Sequence, residues 1–173
     1  MSTTLYEATV ARFEQTLTAT AGFLAKGREH FESEGVALDD IVESRLHSDM
    51  APFRFQVIST VHHSAGALEG AQSGQFAPPP NSDGVDYTTL EQKVQDALAT
   101  VKDMTAEKLL SLEDNPLVFA LGEQKIPFRV GNFLLSFSIP NFYFHSTTTY
   151  DLLRHKGVPV GKRDFLGQLL IGQ

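Results

Sequence analysis

The chain has 173 residues, with 14 Lys and Arg against 21 Asp and Glu, which gives a formal net charge of −7. That length suits one domain with a single hydrophobic core, which we expect to span residues 1–173. The acidic balance argues against a nucleic-acid surface, which would need a basic stripe. The absence of Cys excludes disulfides and Cys-ligated metals. The six His and the carboxylates remain as candidate metal ligands.

Neither a secretory signal nor a membrane span is visible in the sequence. Residues 1–5 lack a basic segment followed by an apolar one. The most apolar stretch, residues 133–144, is interrupted by polar residues and is shorter than the roughly 20 apolar residues that a bilayer requires. We therefore expect a cytoplasmic protein without membrane partners.

The first half of the chain predicts two helices. The first covers residues 3–31, where apolar residues recur at helical spacing. The second begins after a cap at Ser48 or Asp49, with Pro52 in its first turn, and ends near Gly74. Its inward stripe comprises Ile58, Val61, Ala65 and Leu68.

A linker rich in proline follows, over residues 74–86. Thirteen extended residues reach roughly 43 Å, whereas a helix of 23 residues is roughly 35 Å long. The linker can therefore return to the far end of the second helix. This predicts a crossover connection that lets the third helix run parallel to the second.

The third helix is predicted to begin at Thr88, which forms a capping box with Glu91. The pattern then changes to alternation around Ile126 and Phe128, which predicts a strand and a small hairpin turning at residues 122–123. Pro127 should keep this strand at a sheet edge. A hairpin is not stable alone, so it should pack on the helices or on a second subunit.

The last helix is predicted over residues 132–156, where His155, Lys156 and Gly157 form a stop signal. Pro140 leaves a carbonyl of the preceding turn without its partner, so we expect a kink or bulge there. The aromatic run at residues 142–144 sweeps roughly 200° of the helix surface. This helix must therefore contact the other helices and also the hairpin, a partner or a ligand.

Histidines on two helices are the candidate site residues. Asn141, His145 and Thr149 share one face of the last helix. His145 is either a hydrogen-bonded core residue or a metal ligand or acid–base group. His62 and His63 point about 100° apart, so only one of them can face the interior, and the sequence leaves open which.

Two segments resemble an uncharacterised family related to the DinB-like four-helix proteins. The C-terminal resemblance comprises Pro140-Asn141-Phe142-Tyr143-Phe144-His145, Thr147-Thr148, Tyr150, Leu153-Arg154-His155, Gly157-Val158, Gly161-Lys162 and Asp164-Phe165. The second segment comprises Arg45, Asp49-Met50, Pro52 and Gln56. The resemblance implies an all-α, DinB-like four-helix bundle, with a long connection between helices two and three and, here, a small β-hairpin before the last helix. It also implies a homodimer.

Many DinB-like proteins hold a divalent metal with one His on the second helix and a His-x-x-x-His pair on the last helix. By this resemblance His145 matches the second His of the pair, Asn141 stands where the first would be, and His62 or His63 matches the second-helix ligand. Imidazole ligands suit zinc or nickel. Some of these relatives are thiol-dependent transferases or hydrolases.

Two functions follow from these residues and from the resemblance. The first is a small-molecule-binding or assembly module that acts as a homodimer, with a polar and aromatic pocket formed by Gln56, Asn141, Tyr143, His145 and Thr149. The alternative is a divalent-metal-dependent transferase or hydrolase, thiol-transferase-like, that uses His145 with His63 or His62. The sequence assigns no catalytic residue and leaves open whether the protein is an enzyme.

Overall fold

The computed structural model describes residues 3–169 and 171, which are mostly helical with one small sheet. The helices are α1 Leu5–Ala8, α2 Val10–Ser33, α3 Leu38–Val42, α4 Phe53–Val61, α5 Ala67–Ser73, α6 Tyr87–Lys102, α7 Ala106–Leu110, α8 Val130–Phe133, α9 Ile139–His155 and α10 Lys162–Leu166. The strands are β1 Gln75–Phe76, β2 Pro116–Leu121 and β3 Gln124–Arg129. Within the described ranges, the helices fall short of the length and apolar character that crossing a membrane would require.

Two π-turns join neighbouring helices into longer ones. His62–Gly66 connects α4 to α5, and Leu134–Ser138 connects α8 to α9. The second π-turn comes directly before Pro140 and its helix, so the predicted bulge is confirmed. A π-turn shifts the hydrogen-bond register by one residue, which lets the helix continue past a residue that has no N–H to donate.

Four long helical segments surround a common core. Helix α2 contacts α6 and α9, and α4 contacts the same two helices. Aromatic pairs fill the centre: Phe13 meets Phe142 edge-on at 4.9 Å, and Phe53 stacks on Tyr87 at 5.7 Å. The Tyr87 hydroxyl donates to the Leu24 carbonyl at 2.8 Å, which ties α6 to α2.

Two predicted helix caps are wrong. The third helix begins at Tyr87, ahead of the predicted start, because Tyr87 is buried in the core and Asp86 accepts a hydrogen bond from the Thr89 amide at 2.7 Å. Glu91 therefore does not cap; it accepts from the Arg28 guanidinium at 2.6 Å. The second helix begins at Phe53, after Pro52 in the cap position. Neither Ser48 nor Asp49 caps it.

The hairpin of β2 and β3 turns at Gly122 and Glu123, as predicted, and β3 with Pro127 lies at an edge. Its inner face packs on the helices, where Leu117 is buried. The sequence does not predict the third strand. Residues 75 and 76 of the expected linker form β1, which pairs in parallel with β2.

Candidate functional site

A histidine pair forms where the two interrupted helical segments meet. His145 on α9 and His63 in the first π-turn lie with their ring centroids 5.8 Å apart and their planes within 10° of parallel. His63 is only 5% exposed, so it is the member of the His62–His63 pair that faces the interior. His62 instead directs its Nε2 to the Ala77 carbonyl at 2.7 Å.

Gln56 fixes the tautomer of His145. The Gln56 amide nitrogen donates to the Ala51 carbonyl at 3.0 Å, so its oxygen, Oε1, faces His145 Nδ1 at 2.8 Å. Because an amide oxygen can only accept, Nδ1 carries the proton and Nε2 carries the lone pair. Thr149 donates its hydroxyl to the His145 carbonyl at 2.9 Å and supports the same turn of the helix.

Both imidazoles of the pair are neutral near pH 7. Burial lowers the pKa of His145 to about 4. Burial also lowers the pKa of His63 to about 3, with smaller contributions from the charges of His62 and His145. The pKa of His62 is lowered as well, mainly by burial. Each ring therefore offers a lone pair rather than a positive charge at physiological pH.

Two buried polar atoms at this site, one of them on His63 itself, have no hydrogen-bond partner among the described residues. They are Nδ1 of His63 and Oγ of Ser59, one turn earlier on the same face. A buried polar atom left unpaired costs about 1–3 kcal/mol. An ordered water or a bound molecule that supplies the missing hydrogen bond would remove such a cost.

Aromatic side chains enclose the histidines. Phe55 meets His145 edge-on at 5.8 Å, and Phe76 and Phe137 each lie 5.6 Å from His63. The sequence gives no signal for Phe76, because it comes from the expected linker. Only its position in β1 brings it to the site.

The remaining candidate residues make contacts within their own helix. Asn141 donates its amide to the Phe137 carbonyl at 2.7 Å, across the second π-turn. Tyr143 is half-buried and contacts Phe142 at 5.5 Å. The structure therefore brings Gln56 to His145 and leaves Asn141 and Tyr143 beside the cluster.

A three-histidine metal centre does not fit these residues. His62 is directed to a backbone carbonyl, and the Asn141 amide is held by its own helix. In the part of the chain that the structure describes, no group of three or more His, Asp or Glu is placed to hold a metal ion. A catalytic zinc site normally has three protein ligands, and His145 with His63 falls one short of that number.

The cluster is partly exposed, at His145 and at the aromatic rings of Phe55 and Phe137. His145 is half-buried, whereas His63 and Ser59 are buried. Two surface clefts, of about 610 and 240 Å³, are lined by residues other than these three.

A solved structure and a protein family both match this chain. A crystal structure of a DinB family member protein from Shewanella denitrificans is similar to this chain, with a TM-score of 0.80 and 24% identity over 98% of this chain and 95% of that one. Residues 5–166 match the family described as Domain of unknown function (DUF1993), and the chain belongs to that family. The resemblance to an uncharacterised DinB-like family is thus confirmed. No curated protein matches the sequence.

Proposed function

We propose that this protein is a small-molecule-binding module whose site centres on His145. One observation supports this above the others: a neutral imidazole is held by Gln56 with its Nε2 lone pair free, beside two buried polar atoms that have no partner among the described residues. A ligand with an N–H or O–H group would donate to His145 Nε2. It would also bring polar atoms to His63 and Ser59.

The residues around His145 have different roles in this proposal. Gln56 and Thr149 are positioning residues, since their hydrogen bonds hold the ring and the backbone of His145. Asn141 and Tyr143 flank the site on α9. Phe55 would pack on the apolar part of the ligand, because its ring already lies against His145.

We further propose that the four long segments form a DinB-like four-helix bundle with a crossover between the second and third helices. The contacts of α2 and α4 with both α6 and α9 support this arrangement, as does the long connection before Tyr87. The proposed homodimer would use α9 and the π-turn before it. Phe144 on α9 is 59% exposed and Leu135 in the π-turn is 48% exposed, and a second copy would cover them.

The metal-dependent transferase or hydrolase is the weaker alternative. It needs His145 with His63 or His62 around one ion, and His62 is hydrogen-bonded to the Ala77 carbonyl. Two imidazoles without a third ligand fall short of a catalytic zinc or nickel site. Metal ions are therefore included in the test as a competing outcome.

The test is a ligand screen with two matched variants. A panel of small polar metabolites, zinc and nickel is screened by thermal shift, and each molecule that raises the melting temperature is titrated by calorimetry. His145→Phe keeps an aromatic ring but removes the lone pair, whereas His155→Phe changes an exposed histidine at the end of the same helix. Circular dichroism checks that both variants fold.

We expect an organic ligand that binds the wild type and His155→Phe equally and binds His145→Phe about tenfold more weakly, which corresponds to the loss of one net hydrogen bond. Ligands whose affinity is the same in both variants would contradict the proposal, as would a panel without any binder. Stoichiometric zinc or nickel binding that His145→Phe abolishes would favour the metal-dependent alternative instead.

A further inference from the structure

The outer face of the three-stranded sheet differs from its inner face. In β2, Leu117 and Phe119 are buried against the helices, so the alternate residues Val118 and Ala120 face outward. The register places Lys125 of β3 opposite Ala120. The outer face therefore combines small apolar side chains with a cation.

This outer face forms one wall of a cleft of about 610 Å³, and the end of α5 forms the other. Cavities of roughly 300–1,000 Å³ are typical of small-molecule sites. The walls are lined by short side chains, among them Ala71, Ala77 and Ala120. Gly74 adopts a positive φ of 75°, and a Cβ there would lie 3.3 Å from the Pro116 carbonyl, so the backbone turns closely beside β2.

Lys125 is the charged residue among those that line the cleft, in a chain whose net charge is −7. Lys125, Gln75 and Asn115 are all exposed. Within residues 3–169 and 171, the Lys125 ammonium group has no salt bridge to a protein carboxylate, and the two side-chain amides have no hydrogen bond to another protein group. The described lining thus combines one unpaired cation and two free amides with an apolar wall. No carboxylate is among these residues to compete for the lysine.

We propose that this cleft is a second binding site, separate from His145, for a small organic anion with an apolar body and a carboxylate, phosphate or sulfonate head. The head pairs with the Lys125 ammonium and accepts hydrogen bonds from Gln75 or Asn115. The apolar body lies on Val118 and Ala120. This arrangement accounts for the charge, the free amides and the short side chains together.

The test compares two fluorescent probes of similar shape. Anilinonaphthalene sulfonate carries an anionic head on an aromatic body, and phenylnaphthylamine lacks the head. Each is titrated into the wild type, Lys125→Glu, Lys125→Arg, Ala120→Phe and the control Lys108→Glu, which changes an exposed lysine on α7. Amide NMR spectra locate the bound sulfonate, and circular dichroism checks folding.

We expect the wild type, Lys125→Arg and Lys108→Glu to bind the sulfonate alike, and Lys125→Glu to bind it about tenfold or more weakly. Ala120→Phe should weaken both probes, because its ring fills the cleft. The NMR shifts should fall on residues 71–77 and 115–125. Equal sulfonate binding by Lys125→Glu, shifts centred on Phe144 instead, or no saturable binding of either probe would overturn the proposal.

Discussion

Two hydrogen bonds determine what His145 can do. Ala51 holds the amide nitrogen of Gln56, so the amide oxygen faces His145 and the proton of the ring stays on Nδ1. Burial keeps the ring neutral, because the charged form would lose its hydration. At the scale of single residues, the site is therefore a hydrogen-bond acceptor in an aromatic surrounding.

The buried histidines make stability depend on pH. The pKa values of His145 and His63 in the folded chain, about 4 and about 3, lie below the ordinary value of 6.5, so the unfolded chain takes up protons at higher pH. The contribution is complete above about pH 6.5 and is lost as the pH falls toward about 4 for His145 and toward about 3 for His63. Each histidine lowers the free energy of unfolding by up to about 1.4 kcal/mol per pH unit in this range.

Urea unfolding between about pH 7 and pH 4.5 measures this slope, with His145→Gln compared against His155→Gln. His145→Gln removes one titrating group, so we expect unfolding of this variant to take up fewer protons, by up to one, and the slope to be flatter. Solvent screening of the half-buried ring makes this difference smaller. The control should follow the wild type. Identical slopes in the two variants would contradict the assignment of His145 as a buried neutral group.

Gln56 should set the pKa of His145. In Gln56→Glu a carboxylate faces Nδ1 and stabilises the charged ring, so the pKa of His145 should rise from about 4 by roughly 1 unit or more. An NMR titration of the His145 ring protons measures the shift. Gln72→Glu, an exposed substitution on α5, is the control, and an equal pKa in both variants would refute the role of Gln56.

At the scale of elements, small residues decide how closely the helices approach. Gly27 of α2 lies against α6, where a Cβ would be 2.6 Å from the Tyr87 hydroxyl and 3.1 Å from Leu153. Gly22 of the same helix has nothing within 4 Å of its built Cβ. The two glycines therefore differ in packing and share the same helical conformation.

Alanine substitutions at these glycines should have opposite effects. Gly27→Ala should lower the free energy of unfolding by about 1–3 kcal/mol, because the methyl group displaces the hydroxyl that donates to Leu24. Gly22→Ala should raise it by about 0.5–1 kcal/mol, since alanine favours the helix. Chemical denaturation measures both changes in the free energy of unfolding. If both substitutions changed it in the same direction, the difference in packing between the two glycines would not control stability.

For the molecule as a whole, the proposed dimer would bury Phe144, a large apolar side chain that is 59% exposed on α9. In Phe144→Ser the proposed dimer should dissociate about tenfold or more readily, because burying a Phe side chain stabilises by about 1.5–3 kcal/mol. Sedimentation over a concentration series measures this. Leu110→Ser is the control, since Leu110 is 66% exposed on α7, away from the last helix.

A wild-type protein that sediments as a monomer at all concentrations would contradict the dimer. Equal weakening by Leu110→Ser would instead show a non-specific effect of surface apolar residues. These outcomes leave the His145 site unaffected, because Gln56 and His63 come from the same chain as His145.

The sequence alone determined the features that depend on neighbours a few residues away. Helical spacing and stop signals predicted the long helical segments, alternation predicted the hairpin, and Pro140 predicted the bulge before it. It misplaced the cap of the third helix at Thr88, because the burial of Tyr87 in the core, a tertiary effect, fixed the start of that helix. The cap of the second helix, predicted at Ser48 or Asp49, lies at Pro52. Candidate histidines were recognised, although not which of them faces inward.

How those residues combine depends on contacts between distant parts of the chain. Gln56 and His145 are 89 positions apart, so no local pattern could show that one holds the other. The direction of His63, the turning of His62 toward Ala77 and the pairing of β1 with β2 all depend on how helices and linker pack. Local hydrogen bonds and periodicity specify elements, whereas a site is built from side chains that folding brings together from distant elements.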